Sequence, residues 1–250
     1  MNTATMSRED DATPRADCRN CPHRDDRLQK GRCHPGDACV GAPSGRQIAR
    51  FFKINPDLAE QYAGDPFWER RAIAARYLSI QRLLRMLDDP DEVVRRVLAY
   101  RLPVESLGTL VNDPDREVRV TVADRLPPEQ LEQLAQDEDY LVRQYVARRL
   151  KTGRLFRLLR DPEREVRKTV ASRLPVESLG LMRDDSSSEI RRIVAARIEV
   201  DALGPFLQDS DWRVRLVASQ RAPLEQLEAL RDDPDEDVRA AVRKRFEQSR

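Results

Sequence analysis

A period of 24 residues constrains this chain more than any other feature. The stretch 113–136, DPDREVRVTVADRLPPEQLEQLAQ, lands on a copy of itself when shifted by 24 in either direction. Asp-Pro at 65, 89, 113, 161 and 233 marks the phase, and Asp137, Asp185 and Asp209 keep the Asp without the Pro. Eight repeats therefore run from 65 to 250 without insertion. A fixed period of roughly 20–50 residues signals stacked units, each burying its apolar face against its neighbours.

Each unit divides into a long and a short half. Val118, Val122, Ala123 and Leu126 fall at i, i+4, i+5 and i+8, one face of a helix. The set recurs as Val142, Val146, Ala147, Leu150 and as Val166, Val170, Ala171, Leu174. The Asp that opens each repeat reads as the helix N-cap, with Pro at the first helical position. Acids in the first turn, such as Asp91 and Glu92, suit the helix dipole. Leu-Pro at 102, 126 and 174 reads as the helix stop, because Pro disfavours helix at the residue before it.

The short half carries Leu107 and Leu110, Leu131 and Leu134, and Leu203 and Phe206 at i, i+3, the spacing of a 3-10 turn or a single helical turn. Repeats of two full helices need about 34 residues or more. A strand-based leucine-rich repeat would need an Asn or Cys ladder, yet Asn112 is the only Asn between 65 and 250. The period thus predicts an all-α solenoid of alternating long and very short helices.

All four cysteines lie outside the repeats, at Cys18, Cys21, Cys33 and Cys39, in the spacing C-x2-C-x11-C-x5-C. The start of the chain has no apolar run of a secretory signal, and no 18-residue apolar run occurs anywhere, so a cytoplasmic protein with no membrane partner is expected. In that compartment clustered cysteines read as metal ligands rather than disulfides. Such a set binds Zn²⁺ or an iron–sulfur cluster. The second pair departs from the zinc-ribbon spacing, and Cys21-Pro22 leans toward iron–sulfur, but the residues leave both open. His23 and His34 sit beside cysteines and read as loop residues or donors to a ligand rather than as ligands.

The expected organisation is a disordered N-terminus at 1–16, a four-cysteine module at 17–45, a helical cap at 46–64 and the repeats at 65–250. The cap is carried by Ile48, Phe51 and Phe52 at helical spacing, a break at Asn55-Pro56, then Leu58, Ala59 and Tyr62. It seals the first repeat, whose outer core face is otherwise open.

Charged residues make up 36% of the chain, yet the net charge is only +1, which argues against a strongly electrostatic partner such as duplex DNA. Arginine recurs in two columns, one at 71, 95, 119, 143, 167, 191, 215 and 239, the other at 101, 125, 149, 173, 197, 221 and 245. Because the acids share the period, the columns read as a ladder that ties each repeat to the next. The cap Asp residues and Glu105, Glu129, Glu177 and Glu225 are the expected partners. A basic face for nucleic acid is the alternative, and aromatic content of 5% offers few stacking platforms for it. No phosphate-binding Gly loop, nucleophile elbow or zinc-protease motif occurs, so no enzyme is expected.

The pattern D-P-x-x-x-V-R-x-x-V-A-x-R-L-P-x-E-x-L-x-x-L resembles that of the leucine-rich repeat variant (LRV) proteins. The resemblance covers residues 65–250, and Cys18, Cys21, Cys33 and Cys39 look like the N-terminal [4Fe–4S] module that members can carry. It implies α- and 3-10 helices alternating in a right-handed superhelix, with the cluster at its N-terminal end. The functional expectation is an iron–sulfur repeat protein, redox-active or redox-sensing, that docks a protein partner through its solenoid. The alternatives are an interaction scaffold whose iron–sulfur or Zn²⁺ site is purely structural, and a nucleic-acid-binding solenoid. Lys151-Thr152-Gly153 and Ser186-Ser187-Ser188 depart from the pattern, and looser stacking is expected there.

Overall fold

The computed structural model describes residues 15–249, so the expected disordered stretch at 1–16 lies, but for its last two residues, outside the described part. The chain forms two compact units that divide between Val122 and Ala123. The first holds the cysteine loop, α1 (Gly45–Ile54), a 3-10 helix at Pro56–Tyr62, α2 (Trp68–Ala74), α3 (Ile80–Leu84), α4 (Glu92–Arg101) and a 3-10 helix at Val104–Leu110. The division falls within α5 (Arg116–Arg125). The second unit continues with 3-10 Leu131–Leu134, α6 (Tyr140–Arg149), 3-10 Thr152–Leu158, α7 (Arg164–Arg173), 3-10 Val176–Met182 and α8 (Ser188–Arg197). Two short 3-10 pairs, at 200–208 and 224–230, flank α9 (Trp212–Arg221), and α10 (Glu236–Glu247) follows.

From α2 onward every long helix starts 24 residues after the one before, except that the one-turn α3 takes the place of a 3-10 segment. The fold is all-α, with no β-strand among the described residues, as the period predicts. No helix among them is long and apolar enough to cross a membrane.

The apolar faces read from the repeat are the core. Val142, Val146, Ala147, Leu150, Val166, Val170 and Ala171 are fully buried, and so are Leu107, Leu131 and Leu203 in the short halves. Burying one large side chain of this kind contributes about 1.5–3 kcal/mol, so packing between successive repeats dominates the stability of each unit.

The capping assignment needs correction. Asp89 does not cap α4; Asp91 does, its side chain accepting the Val93 N–H at 3.0 Å. The same two-residue shift places Asp139, Asp211 and Asp235 as the caps of α6, α9 and α10. The opening Asp instead accepts the N–H two residues on, as Asp89 does from Asp91 at 3.0 Å and Asp161 from Glu163 at 2.9 Å. It thereby folds the turn ahead of the helix and leaves its carboxylate facing the preceding repeat.

What that carboxylate meets is the first arginine column. In the first unit Arg71 pairs with Asp89 and Arg95 with Asp113; in the second, Arg143, Arg167, Arg191 and Arg215 pair with Asp161, Asp185, Asp209 and Asp233. Each guanidinium uses Nε and one terminal nitrogen on the two carboxylate oxygens, at 2.7–3.2 Å. Its remaining terminal nitrogen donates to the carbonyl of the residue six positions upstream, at 2.7–2.8 Å. Arg is suited to this fork geometry and Lys is not.

The second column finds different partners from those expected. Arg173 donates to the carbonyls of Ala147 and Leu150 at 2.6 and 2.9 Å, and Arg221 to those of Ala195 and Ile198 at 2.6 and 2.7 Å. Arg101, Arg197 and Arg245 make the equivalent pairs of bonds, and Arg149 reaches the Ala123 carbonyl. These carbonyls end the helix of the previous repeat, where orphan acceptors and the negative pole of the dipole favour a cation. For these six arginines the partners are carbonyls, not Glu105, Glu129, Glu177 or Glu225, and Glu129 pairs with Lys151 at 2.8 Å.

That arrangement explains the departing repeats. α6 stops at Arg149 without a Leu-Pro, its last carbonyls held by Arg173, and Leu155 and Leu158 remain buried in the segment that follows. At Ser186–Ser188 only the side-chain cap is lost, since Ser187 makes no capping bond while the Arg167–Asp185 pair persists.

Candidate metal centre

The cysteine loop is assembled from tight turns. Cys21 N–H bonds the Cys18 carbonyl at 3.3 Å, and Arg24 N–H bonds that of Cys21 at 3.2 Å, so the first pair sits on one compact turn. A π-helical turn, Arg24–Leu28, carries the chain away, and Gly31 reverses it at φ 67°, a conformation that favours glycine. His34 and Ala38 then form an antiparallel bridge, with bonds of 2.8 and 2.9 Å across the Pro35-Gly36-Asp37 turn. Cys33 and Cys39 flank that bridge directly, which is how a five-residue gap becomes a close pair.

The loop is bonded to the helical segment that follows it. Asn55, fully buried, donates to the carbonyls of Arg32 and Phe51 at 2.8 and 3.0 Å. Arg32 reaches the Ile54 carbonyl at 2.6 Å, Arg27 pairs with Asp57 at 2.6 Å, and Cys39 N–H bonds the Gln47 carbonyl at 3.1 Å. His23 is buried, with Nε2 2.7 Å from the Tyr62 hydroxyl and its ring against Phe51. Burial pushes His23 below its ordinary pKa, with Asp26 opposing. A neutral imidazole held in this way is a strut, and His34 is exposed.

All four predicted ligands lie in the one loop. Cys33 and Cys39 are buried, Cys18 and Cys21 half-buried, and none is in a disulfide. Burial pushes the Cys33 thiol up to about 12, helped by the charges of Cys39, Cys21 and Cys18 and by a hydrogen bond with Cys39. Cys18 is raised by burial and then by Cys39 and Cys21, with Arg24 opposing. Four thiolates cannot share such a place unless a cationic centre offsets them, and a coordinating thiol is deprotonated outright. The donor set therefore fits a polythiolate metal centre. Among the described residues no three His, Cys, Asp or Glu side chains converge as the ligands of one metal ion would.

A cavity of about 450 Å³ opens between the loop and the start of the repeats. Cys18, Cys21 and Cys39 line it, together with Tyr62, Asp65 and Arg70. Sequence reasoning found the four cysteines and missed these three.

Comparison with known proteins agrees with both halves of the chain. The family model described as "LRV protein FeS4 cluster" matches residues 14–61, and that for "Leucine rich repeat variant" matches 68–91, 116–139 and 164–187. The chain is similar to a solved protein described as a leucine-rich repeat variant with a novel repetitive structural motif. The two are 60% identical with a TM-score of 0.88, over 93% of this chain and all of that one. It is also 40% identical over 79 residues to an uncharacterized 27.7 kDa protein in the nifB 3′ region of Rhodobacter capsulatus. That match spans 32% of each protein, about a third of the relative's length.

Proposed function

Since the chain belongs to the leucine-rich repeat variant family and carries its iron–sulfur module, we propose that it is a [4Fe–4S] protein whose repeats dock a protein partner. Cys18, Cys21, Cys33 and Cys39 would hold the cluster. The observation that carries the reading is four undisulfided thiols in one loop, three of which, Cys18, Cys21 and Cys39, line one cavity. Bound there, such a cluster would supply one-electron redox chemistry.

The rest of the proposal concerns what the protein's own groups do. The bridged turn at His34–Ala38 and the bonds of Asn55 and Arg32 fix the loop on α1. Four thiolates would fill all four ligand positions of a cluster, which supports a non-enzymatic role in redox transfer or sensing. A protein partner is favoured over nucleic acid because both arginine columns are spent on internal acceptors, as at Arg143 and Arg173. We place the protein in the cytoplasm, where thiols stay reduced.

A second reading, a structural metal site that only folds the N-terminal loop, is supported by how firmly that loop is bonded to α1 and Tyr62. Purification without oxygen, a visible spectrum, and assays of iron, sulfide and zinc decide between these. A colourless protein with one Zn²⁺ sinks the iron–sulfur proposal. A brown protein that cannot be reduced reversibly favours the structural reading. The nifB 3′ neighbourhood of the relative gives a partner screen its starting point.

A further inference from the structure

One position breaks the register of the repeat core. Val94, Val118, Val142, Val166, Ile190, Val214 and Val238 stand 24 residues apart and are each fully buried. In the repeat beside the cysteine loop the equivalent residue is Arg70. A guanidinium in place of a core valine loses apolar burial and carries a desolvation cost, so the site requires something that a valine cannot supply.

The ladder does not account for it, because Arg71 makes the rung to Asp89. Arg70 stands over the Phe67 ring, and a terminal nitrogen reaches the Asp65 carboxylate at 3.3 and 3.4 Å. Those distances are long against the ~2.7–2.9 Å of a charge-assisted pair. Its Nε is buried and has no hydrogen-bond partner. A buried donor left in this state is unfavourable. The side chain borders the cavity lined by Cys18, Cys21 and Cys39. Tyr62 and Asp65 line the same cavity.

We infer that Arg70 is a cofactor-binding residue: the first repeat supplies its Nε–H and its positive charge to the sulfurs held at the cysteine site. The inference rests on the iron–sulfur proposal and adds to it a protein group from outside the four-cysteine loop. Hydrogen bonds to sulfur and nearby positive charge both raise a cluster's reduction potential. Asp65 competes for the same guanidinium, so the first repeat carries both the donor and its alternative acceptor.

The test uses the full chain purified without oxygen, in four forms: wild type, Arg70→Val, Arg70→Lys and Arg82→Gln. Arg70→Val restores the residue type of the other repeats, so it is designed to keep the fold. Arg82 pairs with Glu60 away from the cavity and serves as the control. Iron and sulfide are assayed first, and wild type lacking both overturns the iron–sulfur proposal itself. In iron-loaded protein, Arg70→Val is expected to bleach several-fold faster under a chelator and to show a more negative reduction potential. Arg70→Lys, which keeps the charge and loses Nε–H, should fall between, and Arg82→Gln should match wild type. Iron-loaded Arg70→Val that bleaches at the wild-type rate with an unshifted potential overturns the inference. If the cluster proves irreducible, the bleaching rate alone decides.

Discussion

Removing the carboxylate of one ladder rung, Asp161→Ala, should destabilise the second unit far more than deleting a surface ion pair. Asp161 and Arg143 are joined by bonds of 2.7 and 2.9 Å, and their side chains are 3% and 11% exposed. Asp161 also accepts the Glu163 N–H. With the carboxylate gone, Arg143 keeps its bonds to the Asp137 and Glu138 carbonyls and remains a buried cation without its hydrogen-bonded carboxylate. Breaking one side of a buried pair costs about 3–5 kcal/mol. At roughly 2–4 °C per kcal/mol for a chain of this length, the melting temperature should fall by about 6–20 °C. Lys151→Ala is the control, since that pair with Glu129 is 59% exposed on both sides and solvent-exposed pairs contribute little. Arg143→Met with Asp161→Ala should fall short of the summed single losses by roughly 1–3 kcal/mol, because the second change removes an already unpaired charge. Urea unfolding followed by circular dichroism gives the energies. Amide exchange across 140–185 shows whether the loss is local, as stacked repeats can unfold piecewise. An Asp161→Ala loss no larger than that of Lys151→Ala would refute the argument that the rungs hold repeats together.

Three further outcomes follow from the same geometry. Arg173→Met strips the Ala147 and Leu150 carbonyls of their donor, which should cost about 1–3 kcal/mol and show as faster amide exchange at the C-terminal end of α6. Arg215 bonds to Asp233 and holds that carboxyl below its ordinary range, against the effect of burial. A depressed carboxyl stabilises above its unfolded pKa of about 3.9 and loses that contribution as pH falls through the folded value. The gap in urea midpoint between wild type and Arg215→Met should therefore be full near neutral pH and close in acid; a gap that widens in acid contradicts the assignment. Gly31→Ala meets nothing within 4 Å of the new Cβ, so its cost is purely the left-handed backbone, roughly 1–2 kcal/mol. Metal content at a set temperature should drop with it, and an unchanged content would show that the reversal at Gly31 does not position Cys33.

Much of this was legible in the residues, and the remainder was hidden for a physical reason. The period, the helix starts, the buried valines and leucines and the four cysteines all follow from local spacing. The caps were misplaced by two residues because an Asp before a helix can serve either as cap or as turn acceptor. The choice between them is made by Arg71, 18 residues upstream of Asp89. The second arginine column was given glutamates as partners because sequence displays side chains, whereas the true acceptors are main-chain carbonyls such as that of Leu150. Arg70 did leave a sequence signal, an arginine where seven repeats carry valine or isoleucine. Only the cavity beside the cysteines gives that signal a meaning.

The ladder also bears on how such a chain can change length. A rung spans 18 residues forward and its carbonyl bond 6 residues back, as Arg191 does to Asp209 and Asp185. The two add to one period. Loss or gain of a whole 24-residue copy therefore rejoins every donor to an equivalent acceptor. A deletion of 23 would strand a buried guanidinium and a buried carboxylate at the same joint. The ladder therefore tolerates a change in the number of copies, while the length within a copy is fixed.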